Sequence, residues 1–377
     1  MQLRFSLFAS FCAVLATACA PADRVGDSFA EHRLTDSAIA ALPVLAVSDG
    51  PLVCTAIGDG TCPLRSAAAN RLDADRIALW EPGAPIRVWR AGDTLGTPIG
   101  STGDDAPYRL AVAVRADGRG FRLITADSGW HLLRMDRDGA VRDRTTLPVT
   151  APLTVVGYVG NQAVRQEMAG WNTGDGGMLT VTLLDAPTDS TGRELLVTPV
   201  PWLLGGTASS PPLPPYVAAN PAWALNPGNG LAWSPGGEFL VEYRDLSGGV
   251  KWLLRGPDGP PVTEADLDVR DAAVREASRL LPFGEEDYAA MRDRSDSLHP
   301  AVSSLAVVAD GGVIVGLASV PTRGDVEYLR LDATGTPVGR FTLDRRARIL
   351  LAEGDSLLVH RPTEGEPWEV RWVGVGR

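Results

Sequence analysis

The feature that most constrains the fold is a recurring group of four short apolar segments, each group spanning about 40 residues. In one group these segments are Tyr108–Val114, Phe121–Thr125, Trp130–Arg134 and Val141–Leu147. Asp-Gly pairs, which favour tight hairpin turns, separate several of the segments. Four strands in this period are typical of a β-propeller blade.

The spacing of these groups predicts six blades. The blades fall near residues 64–99, 107–148, 151–200, 220–256, 301–343 and 346–374. The last group has three clear strands, and Val44–Val47 is available as a fourth. A blade shared between the two ends of the chain would close the ring and leave no free sheet edge. The sequence therefore predicts an all-β, six-bladed propeller over residues 43–377.

Two segments interrupt the strand pattern. Residues 203–222 contain Ser-Ser-Pro-Pro-Leu-Pro-Pro, which favours an extended crossing between blades. Residues 262–296 have a helical pattern, with Thr263 as a possible N-cap and Asp266 three residues later. We expect a helical insertion here. Both segments are candidates for contact with a partner.

The N-terminus has the pattern of an export signal. Arg4 precedes the apolar run Phe5–Ala16, which is too short to span a bilayer, and small residues lead to Cys19. We expect residues 1–18 to be a signal peptide and residues 19–42 a tether ending in a short helical segment. The cleavage site has two interpretations: a lipoprotein site that acylates Cys19, or ordinary cleavage that releases a soluble protein. Ala16 stands where leucine is commonest in lipoproteins. The favoured prediction is a lipid-anchored protein of the bacterial periplasm or outer membrane.

Cysteine usage is consistent with export. Cys12 and Cys19 lie at the signal, so the mature fold has only Cys54 and Cys62. Two thiols across so short a loop are expected to pair in an oxidising compartment. A buried reduced pair is the alternative. A zinc site is disfavoured, because no histidine lies near the two cysteines in the sequence.

The charge balance limits the possible partners. The chain carries 35 basic and 46 acidic residues, for a formal net charge of −11. Nucleic acids and anionic membrane surfaces are bound through basic patches, so both are disfavoured as partners. Contact with a membrane is expected only through a lipid anchor.

Three stretches resemble bacterial exported six-bladed β-propellers of the TolB-like or NHL-like kind, which are often lipoproteins of uncharacterised function. The stretches are Ile86–Leu147, the region from "NGLAWSPGGEFLVEYRDLSGGVKWLLRG" to "LHPAVSSLAVVADGGVIVGL", and "VEYLRLDATGTPVGRFTLDRRARILLAEGDSLLVHR". They cover more than half of the mature chain. Their motifs are turns and strands, so the resemblance implies a fold and no catalytic residue.

The sequence contains no motif that names a reaction. It lacks the G-x-S-x-G, H-E-x-x-H and P-loop patterns. The four histidines, His32, His131, His299 and His360, are separated from one another in the sequence. We therefore predict no catalytic residue, no metal ligand and no cofactor, and we favour a function other than catalysis.

Ten tryptophans stand out beside eight phenylalanines. Trp171, Trp202 and Trp223 lie in or beside loops, where exposed aromatics commonly anchor partners. The resulting hypothesis is a binding module of the cell envelope, with a protein, peptide or glycan as partner. Two alternatives are an envelope propeller enzyme of the lactonase or lyase kind, with a metal in its central channel, and a structural scaffold of an envelope complex.

Overall fold

A computed structural model of the chain describes most of the residues from position 29 onward. The described residues are 29–55, 62–63, 67–81, 85–90, 93, 96–100, 108, 110–126, 129–149, 153–169, 177–200, 215–226, 230–278, 283–363 and 368–376. In this part of the chain no helix is both long and apolar enough to span a membrane. Cys19, Trp171 and Trp202 lie outside the described residues.

Twenty-five strands and three helices make up the described structure. The elements before the first blade are β1 (Ala30–Arg33), α1 (Asp36–Ala41) and β2 (Ala46–Thr55). The first blade has β3 (Ala68–Arg71), β4 (Arg76–Trp80), β5 (Arg87–Arg90) and β6 (Thr97–Pro98), and the second has β7 (Ala111–Ala116), β8 (Gly120–Ala126), β9 (Trp130–Asp136) and β10 (Val141–Thr146). The third has β11 (Leu153–Val159), β12 (Gln162–Ala169), β13 (Gly177–Leu184) and β14 (Arg193–Val200).

The remaining elements complete the ring. The fourth blade has β15 (Ala222–Asn226), β16 (Gly230–Ser234), β17 (Leu240–Arg244) and β18 (Val250–Arg255), followed by α2 (Glu264–Ser278) and α3 (Glu285–Asp293). The fifth has β19 (Val302–Val307), β20 (Val313–Leu317), β21 (Asp325–Leu331) and β22 (Pro337–Asp344), and the sixth has β23 (Arg348–Glu353), β24 (Ser356–Pro362) and β25 (Trp368–Gly376). The six-bladed propeller predicted from the strand pattern is confirmed.

In each blade, consecutive strands pair antiparallel in sequence order, whereas β1 and β2 join the fourth and sixth blades from the N-terminal part of the chain. The first strand of each blade lies innermost, since first strands contact the first strands of neighbouring blades. In the sixth blade, β2 pairs with β25 and provides the outermost strand, from Ala46 to Thr55. The N-terminal part of the chain therefore closes the ring.

The hydrophobic core is a ring of six interfaces between neighbouring blades. Each pair of adjacent blades shares one cluster of buried apolar side chains. Both faces of a blade are therefore buried. This explains why strands contain apolar runs such as Ile77–Trp80 and do not alternate strictly between apolar and polar residues. A seventh cluster, around Tyr288 and Met291, lies in the helical insertion.

Residues 29–42, assigned from sequence to the tether, form part of the folded body. β1 adds to the fourth blade as a fifth strand, parallel to β18. Ile39 of α1 is buried in the cluster between the fourth and fifth blades, and Val44 forms a parallel bridge with Arg340 of β22. The chain therefore passes from the fourth blade to the fifth before β2 joins the sixth. The small and polar residues of this segment concealed the apolar contacts of Ile39 in the sequence.

Candidate functional site

The two faces of the propeller carry different loops. In a sheet of four consecutive strands, the first and third turns lie at one end, and the second turn and the connection to the next blade lie at the other. We call these ends the hairpin face and the connection face. The helical insertion, between β18 and β19, and the described residues 215–221 that precede β15 both belong to the connection face.

A cleft of about 400 Å³ opens on the hairpin face between the sixth and first blades. We call it the seam cleft, because the chain closes its ring at this interface. Its lining residues are Pro51, Leu52, Val53, Arg71, Ala74, Asp75, Ile77, Trp89, Arg90, Asp93, Glu353, Ser356 and Trp372. Its volume is within the range of about 300–1,000 Å³ that is typical of ligand sites.

The apolar side of the seam cleft belongs to the core cluster that joins the two blades. Ile77 and Trp89 are buried members of this cluster, and Val53 and Trp372 pack against it. Leu52, on the ring-closing strand, is 46% exposed. The core thus supports an apolar wall on which the aliphatic side chain of Leu52 is accessible.

An ion pair crosses the cleft from the first blade to the sixth. The Arg71 guanidinium donates through Nε to Glu353 Oε1 at 2.6 Å and makes a second contact through Nη2 with Oε2. Its Nη1 donates to the Ala74 carbonyl oxygen at 3.2 Å. The guanidinium carbon lies 5.7 Å from the ring centroid of Trp372. Arg71 is therefore held in place by contacts with both blades.

The rim of the cleft has more carboxylates than guanidinium groups. Asp75, Asp93 and Glu353 are acidic, and Arg71 and Arg90 are basic. Asp93 Oδ2 accepts a hydrogen bond from the Arg90 backbone N–H at 2.9 Å. The side chains of Arg90 and Asp75 have no hydrogen-bond partner among the residues that the structure describes. The rim thus offers carboxylate oxygens to a ligand.

A disulfide and a buried histidine lie behind the cleft. Cys54 on β2 is bonded to Cys62, as the spacing predicts, and both cysteines belong to the core cluster of the seam. The His360 side chain is fully buried; its ring centroid lies 4.5 Å from that of Trp368, and its Nε2 lies 3.3 Å from the Pro63 carbonyl oxygen. Burial lowers the pKa of His360 below its usual value. His360 is therefore neutral at pH 7 and contributes to packing.

The described end of the proline-rich segment packs against the helical insertion. Tyr216, at the end of the proline-rich segment, packs in the cluster of the helical insertion, and its backbone N–H donates to the Met291 carbonyl oxygen at 3.1 Å. Tyr216 Oη also donates to Asp271 of α2. Trp223 lies on β15 opposite Trp233 and packs against the core between the third and fourth blades. It is partly buried there, and its contact with a partner stays a prediction.

Sequence reasoning missed the seam cleft. Trp89 and Trp372 lie on strands, where a tryptophan is more often part of the core, and the sequence assigns no role to Leu52. The clue in the sequence is the presence of these apolar residues in the N-terminal and C-terminal parts of the chain. They meet only when the ring closes.

The described residues contain no group of three or more His, Cys, Asp or Glu side chains arranged to hold a metal ion. The helical insertion places His299 beside Asp266, with 3.3 Å between Nε2 and Oδ2. These two side chains are buried and do not line the seam cleft. Their role is to attach the insertion to the propeller, as discussed below.

No protein-family model matches this sequence, and the comparison with curated proteins finds no match. Solved structures resemble it at low identity. A DUF4221 family member from Bacteroides vulgatus is 8% identical with a TM-score of 0.47, covering 89% of this chain and 99% of that one. A protein of unknown function from Bacteroides caccae is 11% identical with a TM-score of 0.35, covering 73% and 81%. YCF48 bound to a D1 peptide is 10% identical with a TM-score of 0.36, covering 88% and 87%. At these identities the likeness concerns the fold alone.

Proposed function

We propose that this protein is an exported, lipid-anchored binding module of the bacterial cell envelope, and that it holds a protein or peptide partner in the seam cleft. The observation that carries the proposal is the cleft itself. It combines a core-supported apolar wall, the accessible Leu52 and a charged rim. Interfaces commonly concentrate their binding energy in such sites, where aromatic and arginine side chains meet a partner.

The proposed binding role rests on the rigidity of the site. Its two walls belong to different blades, which the core cluster and the Arg71–Glu353 ion pair connect, and the Cys54–Cys62 disulfide lies within that cluster. A preformed site loses little conformational entropy when it binds, so more of the contact energy is retained as affinity. A rigid propeller with a walled cleft suits recognition of a partner segment.

The test of the binding role is a substitution that fills the cleft. We expect Leu52→Arg to reduce capture of envelope partners by about tenfold or more, because the longer charged side chain occupies the apolar wall. Leu52 is exposed on an outer strand, so the fold should tolerate the change. The measurement is quantitative mass spectrometry of proteins captured from envelope extract by the immobilised mature protein.

The matched control is Val197→Arg. Val197 is 50% exposed on β14, the outer strand of the third blade, and lies far from the cleft. This variant should capture the same proteins as the wild type. Equal capture by all three proteins would exclude the seam cleft as the binding site.

The anchor has a separate test. We expect the wild-type protein to partition into the detergent phase of a membrane extract, because acyl chains on Cys19 would hold it in the membrane. Cys19→Ser should move it to the aqueous phase, whereas Cys12→Ser should leave the partitioning unchanged. An aqueous wild-type protein with the same mass as the signal-cleaved chain would support soluble export and contradict lipid anchoring.

A further inference from the structure

We infer that the segment recognised by the seam cleft is a peptide with one apolar side chain next to basic side chains. This inference rests on the proposed function and specifies the chemistry of the partner. Three properties of the cleft lead to it: the size of its apolar part, the hydrogen-bonding groups left open on its rim, and the position of its tryptophan rings.

The apolar wall can receive one large side chain. The cavity of about 400 Å³ is at the small end of the range for ligand sites. Ile77 and Trp89 lie at its buried side, and Leu52 lies at its exposed side. An aromatic or large aliphatic side chain entering here would contact all three residues. A longer segment would have to lie across the rim.

The rim favours a cation. The rim has three carboxylates and two guanidinium groups. The Arg71 guanidinium already donates hydrogen bonds to the Glu353 carboxylate and the Ala74 carbonyl oxygen. An acidic ligand would have to compete with Glu353 for Arg71. A basic ligand can bind the carboxylate oxygens of Asp75 and Glu353 without breaking that pair. The side-chain exposure of Glu353 is 33%, which leaves it accessible to a ligand.

The net charge of the whole protein also favours a basic ligand. With a formal net charge of −11, the surface attracts cationic partners and accelerates their association. The attraction between exposed charges weakens as salt is added, because the Debye length falls to about 8 Å near physiological ionic strength. Binding of a basic segment should therefore weaken with salt, whereas the apolar contact should persist.

The tryptophan rings disfavour a glycan. Sugar recognition by stacking needs an open aromatic face, but Trp89 is 2% exposed and packs in the core. The Arg71 guanidinium lies over the Trp372 ring. Neither ring therefore offers a free face for a pyranose, so a peptide side chain fits the cleft better than a sugar.

The experiment compares three fluorescein-labelled, amidated pentapeptides by fluorescence anisotropy with the mature protein. The sequences are Gly-Arg-Phe-Arg-Gly, Gly-Glu-Phe-Glu-Gly and Gly-Arg-Ala-Arg-Gly. We expect the Arg-Phe-Arg peptide to bind about tenfold more tightly than either of the others. Asp75→Asn should weaken its binding about threefold, and the weakening should shrink at high salt. Asp258→Asn, an exposed change on the connection face, should have no effect.

Other outcomes separate this inference from the proposed function. Equal binding of the Arg-Phe-Arg and Glu-Phe-Glu peptides would overturn the preference for a basic segment, and equal binding of the Arg-Phe-Arg and Arg-Ala-Arg peptides would overturn the apolar anchor. If none of the peptides binds but Leu52→Arg still abolishes partner capture, the cleft is the binding site and the inferred ligand chemistry is wrong. If Leu52→Arg changes neither capture nor peptide binding, the proposed site itself is wrong.

Discussion

Replacing Asp266 by alanine is expected to lower the free energy of unfolding by about 2–4 kcal/mol. Its carboxylate is buried between α2, Thr322 of the fifth blade and His299. Oδ2 accepts hydrogen bonds from the Thr263 N–H at 3.0 Å and the Thr263 hydroxyl at 2.7 Å. Oδ1 accepts from the Thr322 hydroxyl at 2.7 Å. Alanine would remove all of these bonds and leave His299 without its carboxylate partner.

Urea unfolding at neutral pH measures this loss. Asp268→Ala is the matched control, because Asp268 lies on the same helix and pairs with Arg292 at the surface. An exposed pair of this kind contributes about 0–1 kcal/mol. Equal destabilisation by the two substitutions would show that Asp266 does not anchor the insertion.

Acid titration distinguishes the contribution of the Asp266 charge to stability from the contribution of its side-chain packing. Burial raises the pKa of this carboxyl, but the hydrogen bonds from Thr263 and Thr322 and the contact with His299 outweigh burial and hold the pKa well below its usual value. A lowered pKa contributes stability above the unfolded-state pKa of about 3.9, and the contribution is lost as the pH falls below it. We expect Asp266→Asn to remove this part of the acid sensitivity while keeping the side-chain volume.

The blades could be predicted from sequence because their determinants are local. Each hairpin is specified by turn residues and by apolar segments within about 40 residues. Gly118 and Gly139, for example, have φ angles of 77° and 82°, which few residues other than glycine adopt. The helical insertion was also predictable, since Thr263 and Asp266 bond reciprocally as their spacing indicates.

The seam cleft could not be predicted because its parts are distant in the chain. Arg71 and Glu353 are 282 positions apart, and Leu52 approaches Trp372 only through the pairing of β2 with β25. No local sequence pattern specifies which strands meet when the ring closes. Nor does it specify which face of an apolar strand lines a cleft. The docking of Ile39 was hidden for the same reason: its partners lie in the fourth and fifth blades.

The Cys54–Cys62 disulfide is expected to contribute about 2–3 kcal/mol to stability, mainly by limiting the freedom of the unfolded chain across a short loop. Its location adds a consequence for function. Cys54 lies on the ring-closing strand two residues after Leu52, and Cys62 packs with Trp89 in the same cluster. A Cys54→Ala/Cys62→Ala variant should therefore unfold at lower urea concentration and bind its partner more weakly, because β2 forms one wall of the cleft.

The measurement is equilibrium urea unfolding of the wild type and the double variant, each with and without a reducing agent. Reduction should lower the wild-type midpoint to near that of the variant and leave the variant unchanged. A wild-type midpoint that is insensitive to reductant would contradict a stabilising role for the bond. Disulfides persist in oxidising compartments. In a reducing compartment both the ring closure and the cleft wall would lose this constraint.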